Sequence, residues 1–253
     1  MRLRQIAFVA KDIEPVAAAL HAAFGLNVAH RDPAVGAYGL VNVVMPVGGD
    51  FLEVVQPVTD SASAGRYLKR RGGDAGYMLI FQAHNALEHR DRLKGQGIRL
   101  IAEHQTPAYT FTHFHPGDFN GVLTSIDTEG DGSHWQDRMG KWPPAGRDWQ
   151  QHLAPSSTKG IAGATVQARD PLTTAKRWGE LFDARRDGAT LHFDGAVVKF
   201  VEPIDADGTG IVGVDLAVTD PAAVLAKART AGLLLKGDSI WMSGTAVTPV
   251  MTA

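Results

Sequence analysis

Two short stretches carry side chains that could do chemistry. The first is DFLEVVQP, residues 50–57, where Glu53 stands among apolar neighbours. Strand alternation puts Phe51, Glu53 and Val55 on one face and Leu52, Val54 and Gln56 on the other. A carboxylate in such a run is expensive to bury unless it is paired, ligated or held protonated, so Glu53 calls for a partner or else lies on an exposed edge. Burial would also raise its pKa, which suits a general base near neutral pH. The second stretch is THFHPGDFNG, residues 112–121, with His113 and His115 two apart and Pro116–Gly117 directly after them. On one strand both imidazoles would face the same spot. They would then be metal ligands, acid/base partners of Glu53, or solvent-bonded side chains at a hairpin end.

Further polar residues could line the same place. Asn42 interrupts the apolar run LVNVVMP, and a buried amide must find hydrogen-bond partners. Tyr77 begins an apolar strand and could present its hydroxyl; Tyr109 and Asp118 flank the histidine strand, Asp118 as a turn residue. The segment GRYLKRRGG sets Arg66, Lys69, Arg70 and Arg71 on a short helix. This reads as a solvated face or, with Arg66 as a fork-shaped donor, as a carboxylate or phosphate site at a pocket mouth.

The elements that position these residues repeat. Four segments, starting at Gln5, Gly76, Gly163 and Val212, each read as an apolar strand, a capping residue and an amphipathic helix. The N-caps are Asp12, Asn85, Asp170 and Asp220, with Pro171 and Pro221 at first helical positions. Val16, Leu20, Ala23 and Phe24 form one apolar stripe, and Leu172, Ala175, Trp178 and Phe182 another. Gly25, Gly95 and Gly232 fall where C-caps belong. Strand-like runs follow each helix, and Gly48–Gly49 reads as a hairpin turn. Each unit is thus βαβββ or a shortened form of it. Residues 131–157, rich in Gly and Pro, form a connector between 1–130 and 158–253. Its Trp135, Trp142 and Trp149 read as packing anchors, with ligand stacking as the alternative.

The chain has 253 residues, 44% of them hydrophobic and 21% charged, with a net charge of −2, so it has the composition of a globular protein without the basic field of a nucleic-acid binder. It has no cysteine, which excludes disulfides, thiolate nucleophiles and zinc–thiolate sites. No apolar run reaches membrane-span length, and MRLRQIAFVA reads as a strand rather than a signal peptide, so a cytoplasmic location is expected. P-loop and dinucleotide-binding glycine motifs are absent.

Paired βαβββ units carrying IAFVAKDIE, FLEVVQP, GRYLKRRGGDAGYMLIF and HFHPGDFNGVLTSID resemble the vicinal oxygen chelate superfamily, which includes glyoxalases, epimerases, extradiol dioxygenases and bleomycin-resistance proteins. The resemblance is clearest over residues 1–128 and weaker over 158–253. It implies an α+β fold in which four units pair into two domains with cupped, mixed sheets. It also implies a divalent metal on the concave face, with ligand positions at Gln5 and Glu53 in unit one and Met78 and Ser125 in unit two. Met78 is a poor ligand and Ser125 a weak one, so the set is incomplete, and His113 or His115 could stand in; Gln5, Glu53 and His115 make one candidate metal set. In the second half the matching positions are Gly163, Lys199, Gly213 and Val247, which offer no such site. The implied function is a small-molecule lyase or isomerase moving a proton next to a carbonyl. Glu53, His113 and His115 would be its acid/base groups, and Asn42, Arg66, Tyr77, Met78 and Ser125 would line the substrate. The alternative is a metal-free protein that sequesters a small molecule. Whether two chains pair is left open.

Overall fold

The computed structural model describes residues 1–153 and 157–252; residues 154–156 of the expected connector, and residue 253, lie outside the described residues. The first half contains β1 (Arg2–Val9), α1 (Ile13–Phe24), β2 (Leu40–Val47), β3 (Asp50–Pro57), α2 (Ser63–Arg71), β4 (Ala75–Gln82), α3 (Ala86–Gly95), β5 (Leu100–Gln105), β6 (Tyr109–Phe114) and β7 (Leu123–Glu129). These strands form one mixed sheet in the order β2-β3-β1-β4-β7-β6-β5. The second half contains β8 (Thr158–Gln167), α4 (Pro171–Phe182), β9 (Arg185–Asp187), β10 (Thr190–Phe193), β11 (Ala196–Val201), β12 (Gly210–Val218), α5 (Pro221–Thr230), β13 (Leu235–Lys236), β14 (Ser239–Met242) and β15 (Thr245–Met251). Its sheet runs β13-β14-β15-β12-β8-β11-β10-β9.

Both sheets follow one plan. In each, the opening strands of two units pair antiparallel at the centre, β1 with β4 and β8 with β12. Each of these also pairs in parallel with the last strand of its own unit. The first unit is the shortened one: a 3₁₀ turn at Pro33–Tyr38 stands where the others have their first post-helical strand.

The capping residues do what their types dictate. Asp12, Asn85, Asp170 and Asp220 each accept from a backbone N–H in the first turn of their helix. Gly25 takes the left-handed conformation at the C-cap of α1. Gly95 does not: α3 runs through it, and Gly97 two residues on supplies the positive φ. Leu172 also departs from its expected stripe and is exposed, while Ala175, Trp178 and Phe182 are buried. Position 172 lies in the first turn of α4.

The alternation seen in the sequence divides the first sheet by face. Ile6, Phe8, Leu52, Val54, Leu79 and Phe81 join a large apolar core that continues into the second half through Ile161, Val214 and Phe182. The other face carries Ala7, Val44, Phe51, Met78 and Ile80, which form a separate cluster with Trp142, Ala145 and Trp149 of the connector. That second face is the concave one, and it holds the candidate chemistry. Arg71, at the end of α2, ties the halves together through Asp205, Asp207 and the Thr209 carbonyl.

Candidate functional site

Glu53 is buried at the centre of the concave face, paired in register with Ala7 on one side and Val44 on the other. Both of its oxygens are satisfied by amides. Gln5 Nε2 donates to Oε2 at 2.9 Å, and Asn42 Nδ2 donates to Oε1 at 2.6 Å. The amides are themselves pinned. The Trp142 indole N–H donates to Gln5 Oε1 at 2.7 Å, and the Asp32 backbone N–H donates to Asn42 Oδ1 at 2.7 Å. Neither amide can therefore turn its oxygen toward Glu53 without losing the hydrogen bond that fixes it. Burial pushes the Glu53 pKa up; the two amide donors pull it down, and the charge of Asp32 adds to the rise.

A second buried carboxyl lies on the same face. Asp127 on β7 accepts from the hydroxyls of Ser125 and Tyr109. Burial raises its pKa to about 7, against the lowering effect of those two donors. Tyr109 is held as a neutral phenol, first by burial and then by the charges of Asp127, Glu53 and Asp32. Two residues beyond Ser125 on one strand, Asp127 had to share its face; that alternation was the available signal.

Pairing irregularities aim two further side chains. Between β1 and β4 the register slips twice, which makes Arg4 and Tyr77 the extra residues of two bulges. Bulges re-aim side chains. Tyr77 thereby packs against the concave-face cluster beside Met78 and meets Tyr67 edge-on at 5.3 Å. Its hydroxyl has no hydrogen-bond partner among the described residues, and burial, Tyr67 and Glu53 raise its pKa to about 12. Arg4 lies over the rings of Phe51 and Trp142, 5.1 and 5.4 Å from their centres, and donates to the Arg138 and Gly140 carbonyls. Burial lowers its pKa to about 9.

The two histidines part company. His113 is on β6, on the same face as Tyr109 and Phe111, stacked on Phe111 at 4.6 Å and 6.1 Å from the Tyr38 ring. Burial lowers its pKa to about 4, so it is a neutral imidazole at neutral pH. His115 lies outside the strand, which ends at Phe114; its Nδ1 accepts from the Gly117 N–H at 3.0 Å and caps a 3₁₀ turn. The physical reason is Pro116, which has no N–H for the ladder and restricts the residue before it. The structure therefore brings Glu53 and Gln5 together without His115. Arg66 is exposed on α2 and donates to the Ser61 carbonyl and to Ser63 Oγ. Met78 and Ser125 are buried on the concave face. Asp118 is held by Arg99 in the turn beyond.

The divalent ion implied by the resemblance does not fit these residues. The Gln5 oxygen is committed to the indole of Trp142, Ser125 Oγ donates to Asp127, and position 78 offers a thioether. Among the described residues no three His, Asp or Glu side chains gather as such an ion requires. Also among them, no helix is long and apolar enough to cross a membrane.

No family model matches the chain. An ethylmalonyl-CoA/methylmalonyl-CoA epimerase from Cereibacter sphaeroides is 25% identical over 134 residues, which cover 50% of this chain and 96% of the relative. Among solved structures, a triple mutant of 4-hydroxymandelate synthase from Streptomyces coelicolor matches 91% of this chain and 75% of its own, with a TM-score of 0.64 and 17% identity. A methylmalonyl-CoA epimerase from Mycobacterium tuberculosis matches 49% of this chain and 85% of its own, with a TM-score of 0.45 and 21% identity. The chain shares the fold of the vicinal oxygen chelate proteins.

Proposed function

We propose that the protein is an isomerase-type enzyme that moves a proton at a carbon next to a carbonyl, with Glu53 as the base. One observation carries this reading: Glu53 is a buried carboxyl whose two oxygens are fixed by amides that are themselves fixed. Such a group is preorganised, and its raised pKa brings it toward the range where a base both holds and releases a proton. The similarity to an epimerase supports the reaction type.

In the step envisaged, Glu53 takes the proton from the carbon, the C–H electron pair becomes the enolate, and the proton returns from a carboxyl to complete the product. Asp127, with a pKa of about 7, is the second group able to carry a proton at neutral pH, and Tyr109 links it toward the cup. No metal is invoked, because the donor set does not fit one. The division of labour is that residues 1–130 hold the reacting compound while 158–253 cover and brace them.

The test is deuterium incorporation from heavy water into the carbon next to the carbonyl, followed by mass spectrometry across acyl thioesters, ketones and 2-oxo acids. We expect exchange by the parent protein on at least one class and its loss in Glu53→Gln. A second reading, sequestration without turnover, draws on Met78 and Ser125, which give the cup no electrophile at the superfamily's ligand positions. Tight binding with no exchange by the parent protein would favour it.

A further inference from the structure

We propose that the cup takes an uncharged aromatic carbonyl compound, its oxygen on the Tyr77 hydroxyl and its ring on the wall of His113, Phe111 and Tyr38, and that it rejects a carboxylate beside the carbonyl. This rests on the reading of the cup as the reacting site and names the class of compound that enters it.

Two buried carboxyls, Glu53 and Asp127, lie on one concave face, and every hydrogen-bond donor to them is neutral: two amides and two hydroxyls. Among the described residues neither forms an ion pair with a lysine or arginine. Arg4 is closed off by Trp142 and the connector carbonyls, and the charges it senses are Arg2, Asp50, Asp137 and Arg138. Arg66 stays at the exposed start of α2. A malonyl-type or 2-oxo-acid carboxylate brought next to Glu53 would therefore meet like charge, without the cation that would compensate it.

The Tyr77 hydroxyl lacks a hydrogen-bond partner among the described residues and is a neutral phenol, on the residue next to Met78, which shares its β1 partner Ala7 with Glu53. It is the group placed to donate a hydrogen bond to a carbonyl oxygen beside the base. The imidazole of His113 likewise has no hydrogen bond among the described residues; its ring, with Phe111 at 4.6 Å and Tyr38 at 6.1 Å, continues to His104 at 5.5 Å from Phe111. Stacked on one another, these rings leave their edges for a flat ligand, which suits the edge-to-face geometry of aromatic pairs.

The experiment is a matched pair read by isothermal titration calorimetry. Phenylacetone and phenylpyruvate share a benzyl ketone skeleton and differ by a methyl group or a carboxylate beside the carbonyl. We expect phenylacetone to bind the parent protein at least about tenfold more tightly. Glu53→Gln, which removes the charge, should raise the affinity for phenylpyruvate, a gain that misfolding does not produce. Tyr77→Phe should weaken phenylacetone several-fold while thermal unfolding shows the variant folded. Equal or tighter binding of phenylpyruvate by the parent protein, or no binding of either compound at millimolar concentration, overturns the proposal. The deuterium test separates the two readings. Exchange confined to carboxylate-bearing compounds keeps the proton-transfer function and removes this inference; ketone binding without exchange does the reverse.

Discussion

Gln5 and Glu53 in the first sheet occupy the register positions that Gly163 and Lys199 occupy in the second. In the first, β1 runs parallel to β3 with Gln5 opposite Phe51 and Ala7 opposite Glu53; in the second, β8 runs parallel to β11 with Gly163 opposite Val197 and Thr165 opposite Lys199. The backbone is the same and the chemistry is not. Glu53 is buried, held by two amides and roofed by a tryptophan from the connector. Lys199 is 47% exposed on its side chain and pairs with Asp215 at 2.9 Å in reach of water. At Gly163 a side chain would press on the Val197 carbonyl 2.9 Å away, so that site has no room for the amide its counterpart carries. One cup is dry and preorganised; the other is an ordinary solvated sheet face. Closure, rather than topology, separates a candidate site from a scaffold here.

The sharpest break in this contrast is Glu53→Gln, expected to lower proton exchange by about 10²–10⁴-fold, the range for loss of a general base. Lys199→Met at the matching position should leave the exchange rate unchanged; a comparable loss there would mean both cups take part. Next in size is Trp142→Ala. It empties a fully buried site packed on Phe51 and frees Gln5, and should cost about 3–5 kcal/mol in urea unfolding.

Opposed titrations give a smaller but distinctive effect. Asp127 has its pKa raised from 3.8 to about 7, so its contribution to stability is full below about 3.8 and is lost as pH rises through about 7. His113 has its pKa lowered from 6.5 to about 4, so its contribution is full above 6.5 and is lost as pH falls through about 4. Between those limits the two slopes oppose each other. Relative to the parent, Asp127→Asn should make stability rise with pH there, and His113→Phe should make it fall, each by up to about 1.4 kcal/mol per pH unit. Chemical denaturation across that range checks both signs. The smallest effect belongs to the exposed pair in the second cup: Lys199→Met should shift stability by no more than about 1 kcal/mol.

Much of this was legible in the sequence. Glu53 could be read because a lone carboxylate in DFLEVVQP violates the pattern around it. The N-caps could be read because the demand they meet is local. His115 escapes the i,i+2 rule because that rule needs a continuous strand, and Pro116 ends this one at Phe114. Asp127 alternates with Ser125 in the sequence, but its place in the site depends on Tyr109, on a different strand, which single-strand alternation does not show. Trp142 was legible as an anchor but not as the group that orients Gln5, since that contact crosses 137 residues and follows no periodicity. Tyr77 was a candidate for its hydroxyl, yet what turns it inward is a slip in the pairing of β1 with β4, and no single-strand pattern records a slip.

That slip has a consequence for how the cup could change. On the core side of β4, Leu79 and Phe81 keep strict alternation, while on the concave side the extra residue puts a phenol beside a thioether. Removing one residue at the bulge would leave the core side in phase and make Tyr77 and Met78 compete for a single place. The strand thus holds its two alphabets out of step, so the concave face can be rewritten by insertion or deletion without repacking the protein behind it.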